Sequence, residues 1–339
     1  MRVAVCAPQV PFVHGGAELM ADDLVAALRR RGHEADLVTV PFKWYPGSRV
    51  LDQAFLWRLL DLTEADGRPI DCVIATKFPA YCVRHPAKVA WVLHQFRQAY
   101  DYDGTELGQF DDSPEDRATR RAVARLDAVA LGEARRVFAT SQNVADRLRR
   151  FNGIDAEVLP HPPQSLAYRT EPSEGFVLSV NRLDRAKRID LLIEAARREP
   201  ALRVVITGEG PDRARLAELA REVNGRIEFV GRVDAERLAD LYARCLAVYY
   251  APIDEDFGMV PFEAFLSGKP VVTTADAGGP LEVVADRSTG LVVAPDPGEL
   301  ARACAQLAAH PDEAAAFGAA GKRIAERVTW DACVDALLA

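Results

Sequence analysis

RVAVCAPQVPFVHGGAELMADDLVAALRRRGHEADLVTV, residues 2–40, decides the fold class. Its first six residues are a short apolar run, broken by Pro8, Pro11, Gly15 and Gly16. From Ala17 to Arg31 the apolar residues Leu19, Met20, Leu24, Ala27 and Leu28 recur at helical spacing. Three arginines and Gly32 then form a helix stop signal, and 35–40 reads as the next strand. Strand, helix and strand in this order are a βαβ unit, the seed of a parallel sheet.

Working outward, further short strands are expected at 72–75, 89–93 and 136–139, with helical spacing over 115–134. Prolines 160, 162, 163 and 172 with Gly175 suggest a domain boundary. A second α/β series follows, with strands expected at 176–180, 204–207, 227–230, 247–250, 271–274 and 290–293. The expected architecture is two doubly wound, Rossmann-like domains whose ligand-binding strand edges meet across a cleft. The domains are placed at 1–165 and 175–325, and 326–339 is expected to be a helix that packs back on the first. The chain of 339 residues suits two domains of roughly 100–200 residues each.

Composition narrows the function. With 49% hydrophobic and 27% charged residues the chain is neither disordered nor collagen-like. A net charge of −8, nearly all of it after residue 165, lacks the basic footprint of a nucleic-acid binder. No apolar run approaches the roughly 18–20 residues of a membrane span, and the N-terminus lacks a basic leader. The expected location is the cytoplasm, with the inner face of the membrane as the alternative. There, Arg117, Arg120, Arg121 and Arg125 would form either a basic patch or a merely solvated helix face. The six cysteines show no zinc spacing and read as buried thiols, and no metal site is expected.

Three stretches carry candidate chemistry. Gly15 and Gly16, just before a helix, either admit an anion to the backbone amides or serve only the turn. Arg182 and Lys187 follow the first strand of the second domain. They either meet a diphosphate at the strand edge or are surface charges of a solvated loop. The densest signal is Asp254-Glu-Asp-Phe-Gly-Met-Val-Pro-Phe-Glu263, three acids, a tight turn and a short helix with Pro261 in its first turn. Free amides from Gly258 through Met259 to Val260 would hold phosphate oxygens, whereas Glu255 and Glu263 would accept hydrogen bonds from hydroxyl groups. A sugar or ribose joined to phosphate fits that combination. The bland alternative is a capped helix with acids near its positive end.

These motifs, taken in order, resemble the retaining glycosyltransferases of family 4, which have the GT-B fold. The matching pieces are Gly15-Gly-Ala-Glu18, Arg182-Leu-Asp with Lys187, Gly208-Glu-Gly210-Pro211, Phe229-Val-Gly231, the E-x7-E pair Glu255 and Glu263, and Gly278-Gly-Pro-Leu-Glu282. The resemblance spans essentially the whole chain and is strongest over 175–300. It implies a glycosyltransferase that moves a sugar from a UDP-, GDP- or ADP-linked donor to a glycan, glycolipid or small-molecule hydroxyl, with no further cofactor. It implies that Arg182 and Lys187 bind the diphosphate, Glu255 the donor sugar and Glu263 the ribose. Gly16, the Gly208 and Gly210 turn, and Phe257 to Val260 would lie against the donor. His94, in Trp91-Val-Leu-His, would stand near the sugar. The family's interdomain Asn-Gly is replaced here by Pro160-His-Pro-Pro163. The acidic, aromatic segment 95–113 has no general counterpart and is read as a mobile acceptor lid. Two alternatives remain, a non-catalytic sugar-nucleotide-binding subunit and a nucleotide-sugar epimerase of the same fold. Joint retention of Arg182, Lys187, Glu255 and Glu263 speaks against both.

Overall fold

The computed structural model describes residues 1–12, 15–223 and 225–339. Val13 and His14 of the first loop lie outside the described residues. The chain forms two units, Met1–His161 with Thr329–Ala339, and Pro162–Val328.

The first unit contains β1 (Arg2–Gln9), α1 (Gly16–Arg30), β2 (Glu34–Pro41), α2 (Val50–Leu59), a small hairpin of β3 (Glu64–Ala65) and β4 (Arg68–Pro69), and β5 (Cys72–Ala75). It continues with β6 (Lys88–Val92), α3 (Pro114–Gly132), β7 (Arg136–Ala139), α4 (Gln142–Asn152) and β8 (Glu157–Val158). Its six-stranded sheet has the order β2-β1-β5-β6-β7-β8, with parallel pairing throughout. Strands buried on both faces explain their continuous apolar runs, such as Cys72–Ala75 and residues 89–92.

The second unit contains β9 (Phe176–Val180), α5 (Ile189–Arg198), β10 (Arg203–Thr207), α6 (Arg213–Ala220), β11 (Ile227–Gly231), α7 (Ala235–Arg244) and β12 (Ala247–Tyr249). Then come α8 (Met259–Leu266), β13 (Val271–Thr274), β14 (Gly290–Val293), α9 (Pro297–Ala309) and α10 (Pro311–Ala325). The sheet order is β11-β10-β9-β12-β13-β14, again all parallel. The order reverses between β9 and β12, which places the topological switch point of a Rossmann-like sheet there. In the first unit it reverses between β1 and β5. The loops at the carboxyl ends of those strands are where such sheets hold ligands.

The last helix, α11 (Trp330–Leu338), belongs to the first unit. Cys333, Val334 and Leu337 share a core with Met20, Leu24 and Leu28 of α1 and with Trp91. Arg31 bridges Asp335 at 2.6 Å and Asp331 at 3.3 Å. His161, from the atypical Pro-His-Pro-Pro stretch, is buried and stacks on Trp330 at 6.4 Å. All six cysteines are buried and unpaired.

Segment 95–113, expected from its composition to be a mobile lid, is packed down by part of its side chains. Phe96, Arg97, Tyr100 and Phe110 are buried. Arg97 bonds Asp101 at 2.8 Å, and Arg120 pairs with Asp103. The Tyr100 hydroxyl donates to Asp127 Oδ2 at 2.7 Å and accepts from Asn152 Nδ2 at 3.0 Å. The aromatic residues of the segment supply the apolar area that holds it down. Arg120 is thereby drawn inward, so the four arginines of α3 do not share one exposed face; Arg121 and Arg125 remain exposed.

Asp127 is fully buried, and burial pushes its carboxyl up to about 7 against the hydrogen bond from Tyr100. A carboxyl that holds its proton more tightly when folded contributes stability below its unfolded pKa. That contribution is lost as pH rises toward 7. Asp127→Asn removes the titration. Relative to the parent, this variant is expected to gain stability from pH 4 to pH 8, by up to about 4 kcal/mol. Urea unfolding at several pH values tests this, and a pH-independent difference would contradict it.

Candidate functional site

At the switch point of the second unit, the loop after β9 faces the loop after β12. The first carries Arg182 and Lys187, and the second carries Glu255 and Gly258. Lys187 Nζ forms a close ion pair with Glu255 and lies 3.5 Å from the Tyr250 hydroxyl and 5.5 Å from the centre of its ring. Burial disfavours the charged lysine, but Glu255 and Tyr250 outweigh it, so Lys187 holds its proton beyond the ordinary lysine range. Glu255 is set by its backbone: its amide donates to Ala277 O and its carbonyl accepts from Gly279 N, both at 2.8 Å. Arg182 extends outward with its side chain 61% exposed, 4.0 Å from Asp184. The structure thus joins Lys187 directly to Glu255 and leaves Arg182 reaching into solvent.

Gly258 caps α8 with φ +83°, a left-handed conformation that favours glycine. Space also requires it, since a Cβ there would fall 2.7 Å from Cε1 of Tyr250. Met259 and Val260 are the first two residues of the helix, so their amides have no intrahelical partners, and Pro261 in the third position has no amide hydrogen to satisfy. Phe257 stacks on Phe262 at 5.0 Å and stiffens the turn.

Glu263, in the same helix, is only 4% exposed and accepts a hydrogen bond from the buried Tyr242 hydroxyl. Burial pushes its carboxyl up to about 7, against that hydrogen bond. An acid of this kind is strongly oriented and changes charge readily near neutrality. Tyr242 and Tyr250 escaped the sequence reading because they look like ordinary apolar positions of α7 and of the end of β12.

Gly208 and Gly210 serve packing. A Cβ on Gly208 would lie 1.9 Å from Asn181 O, and one on Gly210 would lie 2.2 Å from Leu183 O. The turn after β10 is pressed against the Asn181–Leu183 backbone and bonded to it, Leu183 N to Glu209 O at 3.0 Å. These glycines therefore seat the loop that carries Arg182.

In the first unit Gly15 caps α1 and Gly16 is its first residue. The Glu18 carboxylate reaches back to Gly15 N at 2.9 Å, a capping box that places an acid at the helix start. Lys77, just past β5, lies 3.5 Å from Glu18. This lysine at the first switch point was missed because nothing in its local sequence marks it. His94 follows β6, with Nδ1 2.7 Å from Gln95 O. Gly15, Gly16 and His94 belong to the first unit, and the remaining predicted residues belong to the second.

Among the described residues no group of three His, Cys, Asp or Glu side chains could hold a metal ion. The Asp-x-Asp spacings at 101–103 and 254–256 gather no such set. No helix among them is long and apolar enough to cross a membrane.

Residues 14–162 match the family model for glycosyltransferase family 4, and residues 167–324 match that for glycosyl transferases group 1. A D-inositol 3-phosphate glycosyltransferase of Rhodococcus opacus is 32% identical over 257 residues, 67% of this chain and 56% of that protein. The match thus spans little more than half the length of that relative. Sucrose-phosphate synthase from Thermosynechococcus elongatus shares the fold with a TM-score of 0.80 at 20% identity, covering 99% of this chain and 97% of that one. HepE from Anabaena, in complex with UDP and glucose, does so with a TM-score of 0.70 at 19% identity, covering 100% and 99%. The two Rossmann-like units are those of a GT-B protein. The chain belongs to family 4 of the glycosyltransferases.

Proposed function

We propose that the protein transfers a sugar from a nucleoside-diphosphate sugar to a hydroxyl acceptor, with retention of anomeric configuration. The observation that carries this reading is the Lys187–Glu255 pair beside the Gly258-capped helix, at the switch point of the second sheet. Lys187, Arg182 and the amides of Met259 and Val260 would neutralise the departing diphosphate, which needs the most stabilisation in the transition state. Glu255 would accept from hydroxyls of the donor sugar. Glu263, held by Tyr242, would accept from the ribose.

In the reacting step the bond from the anomeric carbon to the phosphate oxygen breaks. The acceptor oxygen bonds to that carbon on the same face, and its proton passes to the departing phosphate oxygen. No protein nucleophile takes part, and no metal is required where cationic side chains and amides carry the charge. Names among the relatives and neighbours favour a UDP-linked donor and a small phosphorylated acceptor as the first pair to try.

Thermal unfolding with UDP, GDP and ADP tests the site before any acceptor is known. A nucleotide at 100 times its Kd adds about 2.7 kcal/mol, a rise of several degrees for units of this size. A rise with one base is expected, and the matching nucleotide-sugar should then release nucleotide only when acceptor is present. No rise with any nucleotide would overturn the reading.

A further inference from the structure

One residue beyond Lys187 the backbone enters the left-handed region at Arg188, with φ +49° and ψ +44°. A residue with a Cβ is strained there, whereas glycine adopts the conformation freely. Arginine at this position is explained by what its side chain reaches. Nε donates to Ala251 O at 2.8 Å, and Nη2 donates to Pro252 O at 2.9 Å and to Thr274 Oγ1 at 2.7 Å. The two terminal nitrogens also grip Asp276 in a fork, at 2.7 and 2.8 Å. The Arg188 carbonyl accepts the Tyr249 hydroxyl at 2.6 Å.

One side chain therefore ties together three segments: the loop after β9, the end of β12 and the loop after β13. Asp276 stands on the last of these. Its carbonyl accepts Asp254 N at 2.9 Å, and the next carbonyl, of Ala277, accepts Glu255 N at 2.8 Å. Lys187 is thus adjacent to one end of the fork, and Glu255 is hydrogen-bonded beside the other. The guanidinium is committed to protein acceptors and has only 15% of its side chain exposed, so it does not itself bind ligand.

We propose that Arg188 and Asp276 form a brace that positions Lys187 and Glu255 at the strand edge, so that the cation meets the diphosphate of the donor. They are positioning residues, and the proposal rests on the donor site described above. A merely structural brace would set stability and nothing else.

The test compares the parent with Arg188→Gly, Arg188→Lys, Asp276→Asn and the double variant Arg188→Gly/Asp276→Asn. Glycine relieves the backbone strain while removing the fork, which protects the fold. Each is read well below its Tm by calorimetry with UDP, GDP and ADP, and by amine labelling of Lys187 followed by mass spectrometry. Expected are a tenfold or greater rise in nucleotide Kd for Arg188→Gly and a smaller rise for Asp276→Asn. The double variant should be no worse than Arg188→Gly, and Arg188→Lys should recover part of the affinity. Lys187 labelling should quicken several-fold in Arg188→Gly. Variants with lower Tm but parental Kd and parental labelling would overturn the brace. A parent that binds no nucleotide would instead overturn the donor site. The brace would then stand or fall on the labelling of Lys187 alone.

Discussion

Lys187→Ala is expected to lower kcat/KM about a thousandfold, roughly 4 kcal/mol of transition-state stabilisation. Two effects add. The departing diphosphate loses a preorganised cation, and one such group commonly contributes a hundredfold to a thousandfold. The Glu255 carboxylate also loses the lysine's positive charge, so its own charge opposes the developing negative charge more strongly. The loss should appear mainly in kcat, because the interaction strengthens as charge moves onto the leaving phosphate. Lys187→Arg keeps the charge but replaces a compact ammonium with a planar fork, and should recover only part of the rate. The measurement is steady-state nucleotide release with a fixed acceptor, at a temperature where both variants are folded. An unchanged kcat/KM in Lys187→Ala would remove the phosphate role from this residue.

Gly208→Ala is expected to destabilise the second unit by about 3 kcal/mol or more. The φ of +114° disfavours any side chain, and the new Cβ would overlap Asn181 O at 1.9 Å. The obstacle is backbone, which cannot swing aside as a flexible side chain can. For units of this size that corresponds to roughly 6–12 °C in Tm. Thermal unfolding by circular dichroism measures it directly. A parental Tm with lost nucleotide binding would return Gly208 to the ligand contacts that the sequence resemblance implied.

Much of the fold was legible because both sheets are parallel and buried. A strand covered on both faces must be apolar along its length, so β9 is expected at 176–180 and found at Phe176–Val180. Helix α1 shows a clear apolar stripe and is displaced by one residue at each end from the expected 17–31. Helix α2 went unread because it has no such stripe. Its apolar residues point every way, with Val50, Ala54 and Trp57 buried and Phe55, Leu56 and Leu59 exposed. The strands β3, β4 and β8 have two residues each, too few for any periodicity to register.

The site divides in the same way. The Gly258 turn and the E-x7-E spacing are local, so they could be read directly. The partners of those residues are not local. Lys187 and Glu255 are 68 positions apart, Arg188 and Asp276 are 88 apart, and Tyr242 and Glu263 are 21 apart. The packing of segment 95–113 was not legible for a related reason. Acidic residues suggest exposure, yet the opposing surface of α3 and α4 supplies a buried acceptor for Tyr100 and a cation for Asp103.

The sequence by itself determined the alternation of strand and helix, the buried character of each strand, and the turns where glycine or proline dictates the backbone. Those properties depend on a residue and its near neighbours along the chain. Only the tertiary structure decided which strand ends lie side by side and which charges pair there. It also decided that Glu263 and Asp127 would be buried acids. An apolar stripe states that a face must be covered. What covers it, and what electrostatic environment results, depends on elements tens of residues away.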